Sequence, residues 1–213
     1  MARTDKNFEP KKNQIIQGAT AVFVKYGYEA TTNKLIAEEV QRQTEMGFTP
    51  QLIYHYFGSK EELFRAVMQQ FPAPQSLNAF IQELKNQPPE IFFRELAQAY
   101  VALFDDPTTA GIFKIAQSEG YRNPEVAESI AAVLYQAFTL PCVEYVVKQM
   151  ADGRIKLMHP ATLLTQFFSP LVFRMLPIAQ ALEKINPVNL PGRAEFIEGI
   201  VSSFLNGVLI ERK

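Results

Sequence analysis

Apolar positions recur at steps of three and four along this chain, and no pair of alternating runs is joined by a hairpin turn. The pattern therefore predicts an all-α fold. Between residues 11 and 26, Ile15, Ile16, Ala19, Val22, Phe23 and Tyr26 form one stripe, and Gly27 supplies a helix stop. Thr31 or Thr32 is placed to cap a second helix carrying Leu35, Ile36 and Val40. Thr49, with Pro50 at the first helical position, caps a short third helix. Ser59 and Glu62 make the S-x-x-E pattern of a capping box. The fourth helix runs through Leu63, Phe64 and Val67 until Pro72 and Pro74 stop it.

The stretch FPAPQS, residues 71–76, is the strongest boundary. It divides the chain into residues 1–70, with short helices, and residues 71–213, with longer apolar ones. The later helices are expected near 75–86, 88–105, 108–120, 124–151, 159–184 and 191–210. That makes about ten helices in all. Pro141 and Pro170 fall inside helical patterns and are expected to kink them. Residues 161–182 carry one charge, Arg174, but Thr165, Gln166, Ser169, Pro170 and Pro177 interrupt their apolar run. A buried or subunit-facing helix fits this stretch better than a membrane span.

Composition narrows the class. Hydrophobic residues are 47% and charged residues 20%, which excludes a disordered chain. Net charge is -1; residues 1–70 hold nine Lys+Arg against eight Asp+Glu. A nucleic-acid reader built this way relies on a few placed cations and backbone amides, not on a broad basic surface. Cys142 is the only cysteine, so no intrachain disulfide forms, and a reducing cytoplasm is the expected location. The N-terminal MARTDKNFEPKKNQ has no apolar signal core. Arg3, Lys11 and Lys12 there are either a solubility tail or an arm on a DNA backbone.

The informative stretch is residues 15–67. It contains an amphipathic helix ending F-x-x-Y-G-Y, then T-T, I-A and G-F-T, then L-I-Y-H-Y-F and G-S-K-E-E-L. This order of elements resembles the TetR family of bacterial regulators. The resemblance implies a three-helix head with a helix-turn-helix, followed by a larger helical bundle that binds an effector and dimerises. The physical pattern agrees. Ile36, Ala37 and Val40 give the support helix a small packing face, while Ile53 and Phe57 give the recognition helix a buried side. Pro50, Gln51, Tyr54 and His55 are left pointing outward.

The DNA-binding candidates are Thr32, Asn33, Thr49, Pro50, Gln51, Leu52, Tyr54, His55 and Lys60. Thr49 and Thr32 sit at helix N-termini, where hydroxyls and open amides suit phosphates. The resemblance assigns phosphate contacts to Tyr54 and Lys60. A cation at a helix N-terminus opposes the macrodipole, so Lys60 points to an external anion. Gln51 is the best base reader because an amide pairs bidentately with adenine; Asn33 and His55 are secondary. Pro50 and Leu52 suit thymine methyls. Each has a plainer reading as packing or solvated surface.

Two departures from the family stand out. QRQTEM, residues 41–46, is extra between the I-A of the second helix and the G of the turn. A looped-out insertion costs less than a lengthened helix, so a longer turn is expected. Gln51 also stands where the family often has Gly, and Tyr56 where it often has His.

For the body, the resemblance implies a cavity for a small, often hydrophobic effector. Its candidates are Phe93, Tyr100, Phe104, Phe113, Gln117, Tyr121, Tyr135, Phe138, Cys142 and Phe168. The same residues would equally fill a solid core. The last two helices resemble the family's dimer interface, with Leu163, Phe167, Leu171, Arg174 and Ile178 on one and Phe196, Ile200, Phe204 and Val208 on the other. Gly199, Ser202, Ser203 and Gly207 permit close approach. Expected partners are a double-stranded DNA operator, a hydrophobic effector and a second copy of the chain, with no membrane. Catalytic residues, metal ligands and cofactors are not expected. Cys142 and His159 are the one conceivable nucleophile pair, and no G-x-S-x-G, H-E-x-x-H or phosphate loop occurs. The competing reading is a helical ligand-binding or scaffold protein of the same fold whose 41–46 insertion has altered or abolished DNA binding.

Overall fold

The structure, a computed structural model, describes residues 8–44, 47–70, 72–185 and 191–210. Arg3 and residues 45–46 of the insertion lie outside them. In chain order the helices are α1 (Phe8–Ala30), α2 (Asn33–Thr44), α3 (Pro50–Phe57), α4 (Lys60–Gln70), α5 (Pro72–Leu84), α6 (Pro89–Ala102), α7 (Pro107–Glu119), α8 (Pro124–Leu134), α9 (Leu140–Ala151), α10 (Pro160–Met175), α11 (Pro177–Ile185) and α12 (Arg193–Val208). Among the described residues the only strand-like pairing is an isolated bridge between Ile155 and Leu209. The fold is all-α.

The chain forms two compact units. The first comprises Met1–Ala73 with Phe104–Leu134, and the second Pro74–Leu103 with Tyr135–Lys213. The first unit therefore takes in α7 and α8 besides the residues before the FPAPQS stretch. The reason is packing. Gly111 of α7 lies against Val24 of α1, where an added Cβ would come 2.5 Å from Val24 Cγ1. Ile112 and Ile115 of α7 and Val126 and Ile130 of α8 are buried in the same core as α1 and α4. Arg65 of α4 donates from Nε to Ser129 Oγ at 3.3 Å.

Within this unit α1 carries the expected buried stripe except at Tyr26, which is 45% exposed. Gly27 explains the difference. Its φ of 79° and ψ of 170° break the helical register, and Tyr28, not Tyr26, turns into the core at 2% exposure. The Tyr28 ring stacks on Phe23 at 5.6 Å and meets Phe64 edge-on at 5.3 Å. Gly18 lets α1 and α2 touch, since a Cβ there would strike the Val40 side chain.

Residues 41–44 of QRQTEM do not form the longer turn expected of them. Residues 41–44 continue α2 to Thr44. Glu39 holds the extra turn: its carboxylate accepts from Arg42 at 2.6 Å and from Gln43 at 2.7 Å, and Thr44 donates to the Val40 carbonyl at 2.8 Å. These i,i+3 and i,i+4 bonds favour helix over loop at each residue, which the loop-closure argument left out.

The second unit centres on an aromatic core. Phe92 stacks on Tyr145, and Phe93 meets Phe167 and Phe204, each at 4.8 Å. The Tyr145 hydroxyl donates to the Gln87 carbonyl at 2.9 Å. Pro141 has no N–H to offer the turn before it, and residues Tyr135–Thr139 widen into a π-type turn ahead of α9. Pro170 lies inside α10, which runs to Met175 and ends at Leu176, before Pro177. Among the described residues, the stretch long and apolar enough to cross a membrane is Pro124–Ala151, not residues 161–182. Its Val126, Ile130, Cys142, Tyr145 and Val146 are buried within the two cores.

Candidate nucleic-acid interface

The interface is built from the short α3. The Thr49 backbone is extended and its hydroxyl oxygen accepts from Leu52 N at 3.3 Å, with Pro50 at the first helical position. Gly58, with a φ of 73°, ends the helix, and its N–H donates to the Tyr54 carbonyl at 2.7 Å. Ile53 and Phe57 are buried, four residues apart, and Phe48 just before the helix is buried with them. With one side anchored, Gln51, Tyr54 and His55 project into solvent, Tyr54 at 66% exposure. An amide, a phenol and an imidazole share one open face of eight residues.

The other candidates divide. Thr49 is exposed, and so is Thr32, whose hydroxyl oxygen caps α2 by accepting from Leu35 N at 3.3 Å. Asn33, beside it, is half-buried, as is Pro50. Leu52 is half-buried and packs against the core, which leaves it little freedom to reach a thymine methyl. Tyr56 packs on Phe8 at 4.7 Å. Lys60 does not look outward for an anion. Its ammonium donates to the Tyr28 carbonyl at 3.1 Å and the Glu29 carbonyl at 3.4 Å, and sits 4.4 Å from the Tyr28 ring centre. The carbonyls ending α1 thus supply the negative partner that the sequence reading sought outside the protein. Tyr28 as a core residue is not evident from the apolar stripe alone; its signal is the Y-G-Y spacing, in which a stop glycine resets the buried register.

Residues 15–67 match the model of the bacterial regulatory proteins, tetR family. The stretch from α1 to α4 is thus similar to that family's N-terminal helix-turn-helix domain. A comparison with curated proteins returns no match. Solved structures similar over the whole chain share the all-helical fold. One, from Mesorhizobium loti, is described as a candidate TetR-family transcriptional regulator; it is 20% identical, with 97% of this chain and 100% of that one covered and a TM-score of 0.71. The fatty acid degradation regulator FadR from Bacillus halodurans is 19% identical, covers 93% and 96%, and has a TM-score of 0.68. The flavonoid-responsive regulator FrrA is 21% identical, covers 96% and 100%, and has a TM-score of 0.65. The chain thus has a head similar to that of the tetR family and shares the fold of these solved structures.

Behind the head the effector candidates do not line one space. Phe104, Phe113, Gln117 and Tyr121 belong to the first unit, and Tyr121 is 96% exposed. Phe104 and Phe113 pack edge-on at 4.8 Å. In the second unit Tyr135 is exposed and Phe93 is fully buried in the core. Tyr100, Phe138 and Phe168 come together, with ring centres 4.7 to 5.7 Å apart. Burial pushes the Tyr100 phenol up to about 12. Cys142 is fully buried and its thiol is pushed up to about 12 by burial, while His159 is occupied as the cap of α10, accepting from Ala161 N at 3.3 Å.

The dimer candidates also sort by burial. Leu163, Phe167 and Leu171 are buried inside this chain, and Val208, at 4% exposure, lines the groove between α10 and α12. Arg174 is half-buried, with its guanidinium over the Phe196 ring at 4.6 Å and a bond to the Pro191 carbonyl at 3.3 Å. Ile178 is exposed. Phe196, Ile200 and Phe204 are half-buried and line a groove of about 860 Å³ between α10 and α12, together with Gly199, Ser203 and Gly207.

Proposed function

We propose that the protein is a homodimeric transcriptional regulator of the TetR type. It binds a pseudo-palindromic operator and represses until a small hydrophobic effector releases it. The observation that carries this reading is α3: buried by Ile53 and Phe57 and capped by Thr49, it holds Gln51, Tyr54 and His55 on one solvent face. Thr32, Thr49 and Tyr54 position the backbone through phosphates, and Gln51 reads a base, with Asn33 and His55 beside it. The α10–α12 groove, floored by small residues, suits helices of a second copy, and a two-fold dimer would present two recognition helices to successive major grooves. The Tyr100–Phe138–Phe168 cluster is the favoured place for effector entry, and its aromatic lining favours an apolar ligand. The flavonoid-responsive and fatty-acid-degradation regulators of the same fold agree with that class. The protein acts in the cytoplasm and catalyses no reaction.

A gel shift with the DNA flanking its own coding region tests this. Retardation of a specific fragment, resistant to excess random duplex, is the expected result. The lengthened α2 is the one feature that favours a helical binding protein without DNA activity, and absence of any specific retardation would select that reading.

A further inference from the structure

We propose that the seven residues before α1 are a second DNA contact of the head, with Arg3 and Lys6 neutralising phosphates beside the groove that α3 reads. The inference rests on the reading of α3 as the DNA-facing surface. Its first ground is charge. Helices α2, α3 and α4 hold four cations, Lys34, Arg42, Lys60 and Arg65, against four acids, Glu38, Glu39, Glu61 and Glu62, and α3 holds neither Lys nor Arg. Lys34 pairs with Glu38, Arg42 with Glu39 and Arg65 with Glu62. A surface that is neutral in sum gains little from a polyanion, whose binding depends on neutralised phosphates. Residues 1–12 hold Arg3, Lys6, Lys11 and Lys12 against Asp5 and Glu9, a net of +2. Residues 13–70 hold five Lys+Arg against six Asp+Glu, a net of -1. The positive charge of the head is therefore concentrated at its N-terminal end.

The second ground is position. Phe8 opens α1 and packs on Tyr56 of α3 with ring centres 4.7 Å apart, and the Tyr56 ring in turn meets His55 edge-on at 5.8 Å. Tyr56 packs against the core of the first unit. This aromatic contact therefore seats the start of α1 on the flank of α3, next to the open face of Gln51, Tyr54 and His55. A tail that served only solubility would need no such seat. Lys11 and Lys12 are half-buried on α1 itself, which leaves Arg3 and Lys6 as the cations that precede the seat. Lys6 lies two residues before Phe8 and Arg3 five. At no more than about 3.6 Å per residue, their backbones reach roughly 7 and 18 Å from that point. A duplex carries about one phosphate charge per 1.7 Å of axis, so a span of about 18 Å passes roughly ten of them.

The test compares the full chain with its Arg3→Gln/Lys6→Gln double variant, on a duplex that the parent selects from a random library and on a random duplex. Each lost phosphate contact should make the slope of log K against log salt shallower by about one unit. The double variant should therefore lose about two units, on both duplexes alike, with the parental melting midpoint. Lys85→Gln/Lys148→Gln, the same charge change at exposed positions of the second unit, should leave the slope unchanged. Location is read from Arg3→Cys carrying an iron chelate that cleaves DNA. Cys142 is fully buried, so the label goes to position 3, and cleavage should cluster at the edge of each half-site. Phe8→Ala should spread the cleavage over more positions, and Phe8→Tyr should keep it sharp. Three results each overturn the proposal and leave the reading of α3 standing: a slope changed by less than about one unit in the double variant, an equal change in the Lys85 and Lys148 control, or cleavage with no preferred position. Equally sharp cleavage in Phe8→Ala overturns the role of the Phe8 seat. Failure of the parent to bind any duplex overturns the reading of α3, and this proposal with it.

Discussion

Replacing Gly27 by alanine isolates the backbone cost of the turn between α1 and α2. The residue has φ 79° and ψ 170°, a region that essentially only glycine occupies, at a cost of about 1–3 kcal/mol for other residues. Nothing lies within 4 Å of an added Cβ, so no steric clash confuses the reading. Alanine also narrows the unfolded ensemble, which offsets about 0.4–1 kcal/mol. The net loss is about 1–2 kcal/mol, which for a chain of this size lowers the melting midpoint by about 2–8 °C. Gly47 is the control: it too has open space around a Cβ but no positive φ. Gly47→Ala should melt at or slightly above the parent. The assay is a circular dichroism melt of the parent and both variants, paired with operator binding, because a relaxed turn displaces Thr31 and Thr32. A Gly27→Ala variant that melts and binds like the parent would refute the claim that this glycine sets the entry to α2.

Other consequences follow from the same geometry. Gln51→Ala should relax preference at one base pair per half-site and cost about 1–3 kcal/mol on the best site only; equal losses on all sequences in a binding titration would make Gln51 a positioning group. Deleting Gln41–Met46 removes a helical turn and draws the start of α3 back by about 6 Å, at 1.5 Å per residue over the four helical positions. Operator affinity should then fall more than tenfold, about 1.4 kcal/mol, in a variant that is still dimeric; near-parental binding would contradict this. Ser203→Arg, placed in the α10–α12 groove, should yield a monomer by analytical ultracentrifugation, and a persisting dimer would move the interface elsewhere. Cys142 has its thiol raised from 9.0 to about 12 by burial, so alkylation at pH 8 should be about a thousandfold slower folded than unfolded. Because the folded value is the higher one, this group's contribution to stability is full below about pH 9 and is lost as pH rises toward 12.

The head was largely legible in the sequence because its signals are local. Caps at Thr32, Thr49 and Ser59, the Ile53–Phe57 spacing and the Gly27 stop each depend on a few neighbouring residues, and each is where the pattern put it. What the pattern missed involves partners distant in sequence or competing local bonds. Tyr28 replaced Tyr26 in the core because one glycine shifted the register. Lys60 found its counter-charge in carbonyls about thirty residues earlier. Residues 41–44 stayed helical because Glu39 gathers Arg42 and Gln43. In the body, an apolar stripe predicted a face but not its occupant. Leu163, Phe167 and Leu171 were read as facing a second copy, yet they face Phe93 and its neighbours in the same chain. An aromatic at helical spacing likewise does not reveal whether its ring fills a core, as Phe93 does, or stands in solvent, as Tyr121 does.

The central claim is that the open face of α3 reads DNA, and selection of duplexes from a random library by the purified protein tests it most directly. The account predicts enrichment of a two-fold symmetric site. Its half-sites should lie about one helical turn, roughly 34–36 Å, or a multiple of it apart. Selection by Gln51→Ala should return the same spacing with degeneracy at one symmetric pair of positions. A library that shows no enrichment over repeated rounds, with a folded and dimeric protein, would contradict the account.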